Sequence, residues 1–246
     1  MLTLYQFPIS HYCEIARWAL DFKQLDYKPV NLLPGRHSKV TTQIAPGSSV
    51  PVLKHDETII QGSGNILSYL DEQFPQHPLT PIDSNEKQSA LEWERFLDRQ
   101  VGIPLRCFMY HHLLKTPSKV IPMWAHNGPL FGTLTMWLMF PVLRMKMCRF
   151  MKINQETAEQ SRQTVLRAVD HLYQAKQEKM FLVGKNFSRA DLSAASLLSH
   201  LVQPVEVDLF WPRHFPQAIQ QLIDETRKKN TWIVDTYENY RKKPPT

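Results

Sequence analysis

Three prolines, at positions 75, 78 and 81, divide this chain into two parts that differ in their hydrophobic pattern. Before them, short strand-like segments alternate with helical ones, whereas after them the apolar residues follow a helical spacing alone. Proline interrupts helices and lacks the backbone donor that a strand needs. The sequence therefore predicts an α/β domain over residues 1–77, a linker over 78–84 and an all-α domain over 85–246.

The first part predicts the order β-α-β-(α)-β-β-α. Its strand patterns lie at 2–7, 27–32, 50–54 and 58–60, and its helical patterns lie at 10–22 and 62–72. The all-α part predicts helices at 84–115, 155–178, 189–202 and 216–240. Between the first two of these helices lies an enlarged segment, 115–155, that is rich in Met and Trp.

The composition of the 246 residues excludes several classes of protein. Hydrophobic residues make up 43% of the chain and aromatic residues 11%, which is too much for a disordered protein. Three cysteines are too few for a disulfide scaffold and fit a reducing compartment. The start has no signal-peptide pattern, and the apolar stretch 130–143 is shorter than the ~20 residues of a transmembrane helix. We therefore expect a cytoplasmic protein.

The net charge of +6 favours anionic partners only weakly. The basic residues are scattered, apart from the group Arg241, Lys242 and Lys243, so we expect no nucleic-acid partner. No grouping of His and Cys has the spacing of a zinc site, so we expect no metal.

Three local motifs occur in a telling order. The first is Ser49-Val50-Pro51-Val52-Leu53, in which a proline precedes a strand and a cis Val50–Pro51 bond would present the Val50 backbone to a ligand. The second is Ser63 followed by the apolar run at 66–70. The third is the segment 182–192, in which Ser188 and Asp191 have the spacing of a helix capping box.

Together these motifs resemble the cytosolic glutathione transferase superfamily. The resemblance implies a thioredoxin-like α/β N-terminal domain followed by an all-α helical-bundle C-terminal domain. It implies glutathione as the co-substrate, a small-molecule electrophile as the second substrate, and a homodimer. The same fold also serves proteins that catalyse nothing.

Ser10 lies where the first strand meets the first helix. By resemblance to the serine-type enzymes, its hydroxyl would donate a hydrogen bond to the glutathione sulfur and favour the thiolate, which the helix N-terminus also stabilises. The alternative is that Ser10 only caps the helix. Cys13 follows with the spacing of a Cys-x-x-Cys motif whose first cysteine is replaced, so a redox role for Cys13 also stays open.

The resemblance also implies contacts that would hold glutathione. The Val50 backbone beside Pro51 would pair with the cysteinyl backbone, and Ser63 would bind the γ-glutamyl carboxylate at a helix N-terminus, unless it is a plain N-cap. His37 or Lys39 would reach the glycyl carboxylate. Gly62 replaces the acidic or amide residue usual before that serine, so we expect weakened binding that Gly62→Glu would tighten if the backbone there permits a side chain.

Two further alternatives concern the 115–155 segment and the function as a whole. The segment could line an electrophile pocket, contact a membrane surface through 130–153, or enlarge the core or a dimer contact. The leading hypothesis is an enzyme that conjugates glutathione thiolate to an apolar electrophile. The alternatives are a non-catalytic module that binds a partner, an apolar ligand or a membrane surface, and a thiol-redox protein that uses Cys13. In the third motif, Asp191 is expected to cap a helix rather than to catalyse.

Overall fold

A computed structural model describes residues 1–177, 179–207 and 209–241. Lys242, Lys243 and the last residue of the predicted 155–178 helix lie outside this range. The N-terminal elements are β1 (Leu2–Gln6), α1 (His11–Phe22), β2 (Tyr27–Asn31), α2 (His37–Ile44), β3 (Val52–His55), β4 (Thr58–Gln61) and α3 (Ser63–Gln73). The C-terminal helices are α4 (Ser84–Leu97), α5 (Ile103–Leu113), α6 (Pro117–Ala125), α7 (Gly132–Phe150), α8 (Gln155–Lys176), α9 (Arg189–Val202), α10 (Gln217–Thr226) and α11 (Thr231–Tyr240).

The four strands form one mixed sheet in the order β2-β1-β3-β4. β1 pairs in parallel with β2, whereas β1–β3 and β3–β4 are antiparallel. After Gln61 the described residues contain helices but no strand. The predicted combination of a thioredoxin-like domain with an all-α domain is confirmed, while its residue boundaries stay predictions. Within the described part of the chain, no helix combines the length and the apolar character needed to cross a membrane.

Two of the predicted helices are interrupted. A π-helical turn at Asp98–Gly102 breaks the 84–115 helix before Pro104, which has no N–H for the carbonyl four residues earlier. The predicted 216–240 helix is broken by a 3₁₀ turn at Arg227–Asn230. There the buried Thr226 hydroxyl donates to the carbonyl of Leu222, an interaction that bends helices.

Helix α9 is the centre of the all-α domain, because it is buried from its first residue through Leu201. It packs against α4 and α11 in its own domain and against α1 in the other. At its start, the buried Arg189 donates to the carbonyl of Gly64 and to the hydroxyls of Ser68 and Thr80, and it pairs with Glu94 at 2.8 Å. This one guanidinium therefore connects α3, the linker and α4.

Helix α1 is held from its other side by the C-terminal segment. Glu14, which is 1% exposed, accepts hydrogen bonds from Arg17 and from Arg241, each at 2.8 Å. Burial opposes ionisation of Glu14, but the charges of Arg241 and Arg17 outweigh it and lower the pKa of this carboxyl. The Trp18 indole donates to the carbonyl of Tyr240 at 3.0 Å. The end of the chain therefore fixes the first helix.

The predicted capping box is confirmed at the start of α9. The Ser188 hydroxyl accepts from the backbone of Ala190, and Asp191 accepts from both the backbone and the hydroxyl of Ser188. Asp191 also accepts from the backbone of Leu182 at 2.8 Å. Burial raises the pKa of Asp191 above its ordinary value, although these bonds oppose the shift. The carboxylate therefore organises two segments of backbone inside the domain.

Asp191→Ala is expected to lower the free energy of unfolding by about 2–3 kcal/mol, because buried N–H donors at Leu182 and Ser188 lose their acceptor. Urea unfolding followed by circular dichroism measures the loss. Asp191→Asn, which keeps one acceptor oxygen, should lose less. A folded Asp191→Ala protein with an unchanged free energy of unfolding would show that the cap does not contribute this stability.

Candidate functional site

A cavity of about 840 Å³ lies between the two domains. One wall comes from the end of β1, the start of α1 and the loops before α2 and β3, and the other from helices α5, α6 and α7. The second wall is mainly apolar and includes Leu105, Met109, Val120, Met123, Trp124, Leu143 and Met147. No Asp or Glu lines the cavity among the residues that the structure describes. The cavity therefore suits an apolar or anionic ligand.

Ser10 lines this cavity at the N-terminus of α1. Its backbone is extended, and its Oγ accepts a hydrogen bond from the backbone N–H of Cys13 at 3.4 Å. A hydroxyl that accepts one bond still has its own proton to donate. Ser10 can therefore cap α1 and, at the same time, donate to a ligand atom in the cavity, so the two roles foreseen for it are compatible.

Two histidines beside Ser10 lie on the same side of the cavity. The buried rings of His11 and His200 meet edge to face, with centroids 5.2 Å apart. Burial lowers the pKa of His200 to about 4. Burial, together with the neighbouring His200 and Arg106, lowers the pKa of His11 well below its ordinary value. Both rings are therefore neutral at pH 7 and contribute no fixed charge to the site.

The proposed glutathione-binding residues around α3 lie together. The Val50–Pro51 bond is cis, Val50 lines the cavity, and the carbonyl of Pro51 accepts from the backbone of Gly62 at 3.0 Å. The N-cap of α3 is Gly62, so the alternative of Ser63 as the N-cap is wrong: Ser63 is the first residue of the helix. Neither Gly62 nor Ser63 lines the cavity itself. Gly62 is linked to this edge by its hydrogen bond to Pro51, the residue after the cavity-lining Val50.

The two alternatives for the glycyl carboxylate differ in position. His37 lines the cavity at the start of α2, where its Nδ1 accepts from the backbone of Gly35 at 3.1 Å and its ring packs edge-on against Phe7. Burial lowers the pKa of His37. Lys39 is exposed and does not line the cavity. The placement favours His37 over Lys39.

Cys13, in the first turn of α1, is fully buried, and burial raises the pKa of its thiol. A thiol that is both inaccessible and protonated is a poor nucleophile. This environment disfavours the redox alternative. In the described ranges, 1–177, 179–207 and 209–241, no group of His, Cys, Asp or Glu is arranged to hold a metal ion.

Sequence reasoning missed the residue that holds the loop before β3. The Gln61 carboxamide accepts from the backbone of Gly47 at 3.0 Å and donates to the carbonyls of Gly47 and Ser49. These bonds fix the segment that brings Ser48 and Val50 to the cavity. A single Gln at the end of an edge strand gives no signal in the sequence, because its partners are 12 to 14 residues away.

Sequence reasoning also missed Arg106, which lines the cavity from α5. Its guanidinium carbon lies 5.8 Å from the centroid of the Tyr12 ring, and its buried Nε has no hydrogen-bond partner. In the described structure it forms no ion pair. The one available signal was a lone cation inside the apolar run of α5, and that signal alone does not distinguish a site from a surface residue.

Comparison with known proteins supports the fold and the N-terminal domain. Residues 4–78 match the family model for the glutathione S-transferase N-terminal domain. A zeta-class glutathione S-transferase of Euphorbia esula is 40% identical over 89 residues, which are 35% of this chain and 40% of that protein. Glutathione S-transferase 1 of Dianthus caryophyllus is 38% identical over the same shares. The chain thus spans about two fifths of the length of the curated relatives it matches.

Solved structures match nearly the whole chain at low identity. Glutathione transferase F7 from Populus trichocarpa aligns with a TM-score of 0.66 and 16% identity, covering 97% of this chain and 94% of that one. A glutathione S-transferase from Methylobacterium radiotolerans, in complex with glutathione sulfonate, aligns with a TM-score of 0.59 and 17% identity, covering 100% and 98%. These likenesses establish the shared two-domain fold.

The backbone at Gly62 changes the expectation for Gly62→Glu. Gly62 has φ +93° and ψ 140°, a conformation that residues with a side chain rarely adopt. We therefore expect Gly62→Glu to bind glutathione no more tightly, and Gly62→Ala to unfold at a lower urea concentration with a loss of about 1–3 kcal/mol.

Gly64 provides the matched control, because it lies inside α3 without a positive φ and has no atom within 4 Å of an added Cβ. Gly64→Ala should raise the free energy of unfolding by about 0.5–1 kcal/mol. Equal effects of the two alanine substitutions would contradict the assigned strain at Gly62.

Proposed function

Because this chain belongs to the cytosolic glutathione transferase superfamily, we propose that it binds glutathione and transfers its thiolate to an apolar electrophile. The observation that carries the proposal is the Ser10 hydroxyl, which lies at the N-terminus of α1 and faces a cavity with an apolar far wall. A nucleophile held at Ser10 would meet its second substrate in that cavity.

Glutathione would lie along the edge formed by α1, the Val50–Pro51 segment and the start of α3. The Val50 backbone would pair with the cysteinyl unit, the N-terminus of α3 would take the γ-glutamyl carboxylate, and His37 would reach the glycyl carboxylate. The thiol would then rest against Ser10. Gly62 has no side chain that could accept a hydrogen bond from the ligand ammonium. Binding of the γ-glutamyl end would therefore be weaker.

The reaction requires a thiolate, and a free thiol with a pKa of about 8.5 is mostly protonated at pH 7. Donation from the Ser10 hydroxyl and the positive end of α1 would stabilise the anion. The thiol would release its proton to water, and the sulfur lone pair would then form a C–S bond with the electrophilic carbon. Either a leaving group departs with its electron pair, or an activated double bond takes up the electrons and a proton from water. Ser10 itself keeps its oxygen uncharged.

Ser10→Ala should lower kcat/KM for conjugation of glutathione to chlorodinitrobenzene by at least ~10-fold, because one transition-state hydrogen bond is lost. The unfolding midpoint should fall only slightly, since the cap bond at 3.4 Å is long. Absorbance of the thioether product gives the rate. Near-wild-type turnover in Ser10→Ala would show that Ser10 only caps α1 and takes no part in catalysis.

Cys13→Ser is the control for the redox alternative, and it should keep its conjugation rate while it folds. Isothermal titration of the wild-type protein with glutathione tests binding apart from catalysis. Retention of glutathione without turnover of any electrophile would instead support the non-catalytic module. The glycine at position 62, which cannot hold the ligand ammonium with a side chain, also favours that alternative.

The second substrate is further defined by Arg106. A half-buried guanidinium without a counter-charge is costly, and it becomes favourable when a ligand supplies an anion. Its neighbours in the cavity wall are the Tyr12 ring, the neutral His11 ring and Tyr110, whose pKa burial raises. We therefore propose an electrophile with an apolar body and a carboxylate or similar anionic group that pairs with Arg106.

Arg106→Met should lower kcat/KM for a chlorodinitrobenzoate anion by about 10- to 100-fold, and for its methyl ester by no more than about twofold. Using one variant with both substrates cancels their difference in intrinsic reactivity. Arg149→Met, at an exposed cation on the same cavity, should have little effect on either. Equal losses with the anion and the ester would place Arg106 in glutathione binding or packing instead.

A further inference from the structure

Helix α7 is apolar on both of its sides. Its inner side, formed by Gly132, Met136, Phe140 and Leu143, is buried. Its outer side is exposed: Leu134 is 60% exposed, Leu138 76% and Met145 64%. Together with their exposed neighbours, these residues form what we call the α7 outer face, which comprises Leu130, Phe131, Leu134, Trp137, Leu138, Val142 and Met145.

A stripe of adjacent exposed apolar side chains is typical of a contact surface, because monomeric proteins rarely expose large continuous apolar patches. Leu134, Leu138 and Met145 recur at the spacing of one helical stripe. In the described structure no other element covers them, as their exposure shows. The stripe is therefore open to a partner beyond the described residues.

Charge indicates the nature of that partner. At about 100° per residue, Arg144 and Lys146 lie on opposite flanks of the stripe, one residue before and one after Met145. Both side chains are exposed. Long cationic side chains beside an apolar stripe place their stems on the apolar surface and their charges at its edge.

The surrounding sequence carries one sign of charge. No Asp or Glu occurs from position 99 to position 155, whereas the basic residues of this range are Arg99, Arg106, Lys115, Lys119, Arg144, Lys146, Arg149 and Lys152. The net charge of +6 for the whole chain is thus less than the charge of this one region. Such a region attracts an anionic surface over a distance set by the Debye length.

We propose that the α7 outer face docks on an anionic phospholipid surface. The leucines and Trp137 would enter the boundary between headgroups and acyl chains, and Arg144 and Lys146 would meet lipid phosphates. An exposed tryptophan beside cations is typical of this interface. The proposal rests on the α7 outer face and the charge of the 99–155 region, and it does not depend on the glutathione reaction.

A second copy of this chain fits the face less well. A two-fold contact places the same patch against itself, so Arg144, Lys146 and Arg149 of both copies would approach one another without a carboxylate from this region to pair with. A lipid surface supplies the missing negative charge. Docking would also bring the cavity mouth, to which Lys146, Arg149 and Phe150 contribute, close to the membrane.

Co-sedimentation with vesicles tests the proposal. The full chain should bind vesicles of phosphatidylcholine with about 30 mol% phosphatidylglycerol at least about tenfold more tightly than pure phosphatidylcholine vesicles. Binding should weaken as NaCl rises from about 0.1 M to about 0.5 M. The double variant Arg144→Gln/Lys146→Gln should lose about tenfold or more in affinity for the anionic vesicles.

The triple variant Leu134→Ser/Leu138→Ser/Met145→Ser should also lose binding by about tenfold or more. Its control is Ile82→Ser/Val205→Ser, which removes two apolar residues elsewhere that are more exposed than the stripe (93% and 84%) and should bind as the wild type does. All substitutions are at the surface, and circular dichroism verifies that each variant folds.

Light scattering measures the oligomeric state and so distinguishes docking on lipid from contact with a second copy of the chain. The proposal expects the same oligomeric state in the wild type and the triple variant. A wild-type chain that does not bind anionic vesicles, or a triple variant that binds them fully, overturns it. So does a wild-type dimer that the triple variant converts to monomer, because the face would then be an interface between copies of the chain.

Discussion

The buried position of Glu14 sets the place of α1, and the rest of the site depends on that helix. A carboxylate inside a protein is tolerated only when cations and hydrogen bonds compensate it, and here Arg17 and Arg241 do so from two sides. One of these cations belongs to the same helix and the other to the end of the chain. Because Glu14 needs both cations, the N-terminal domain is held against the segment that ends α11.

A fixed α1 gives Ser10 its position between the domains. The helix body packs on α9, and Tyr12, the second residue of the helix, donates to Asp98 of the other domain at 2.6 Å. Gly102 permits that approach, because a Cβ there would lie 2.4 Å from the Tyr12 hydroxyl. The cavity is therefore a product of domain docking: its Ser10 wall and its apolar wall come from different domains and neither forms it alone.

The parts of this structure that local rules govern were predictable from the sequence. The β1 strand, the α9 helix with its Ser188–Asp191 cap and the position of Ser10 depend on residues only a few positions apart. The contacts of Gln61 and the unbonded Nε of Arg106 depend on tertiary placement and leave no periodic pattern in the sequence. Gly62 lies between these cases: glycine suggested a special backbone, but only the structure gives its φ of +93°.

Helix α7 shows why hydrophobic pattern alone could not assign the 115–155 segment. A helix that is apolar all round is ordinarily buried on all sides, and the sequence is compatible with that arrangement. The fold offers α7 only one packed side, since its inner residues already complete the cavity wall through Leu143 and Met147. The outer leucines then have no place in the core. These leucines lie beside Arg144 and Lys146, in a region without acidic residues. Their role is therefore at the surface of the protein rather than in core packing.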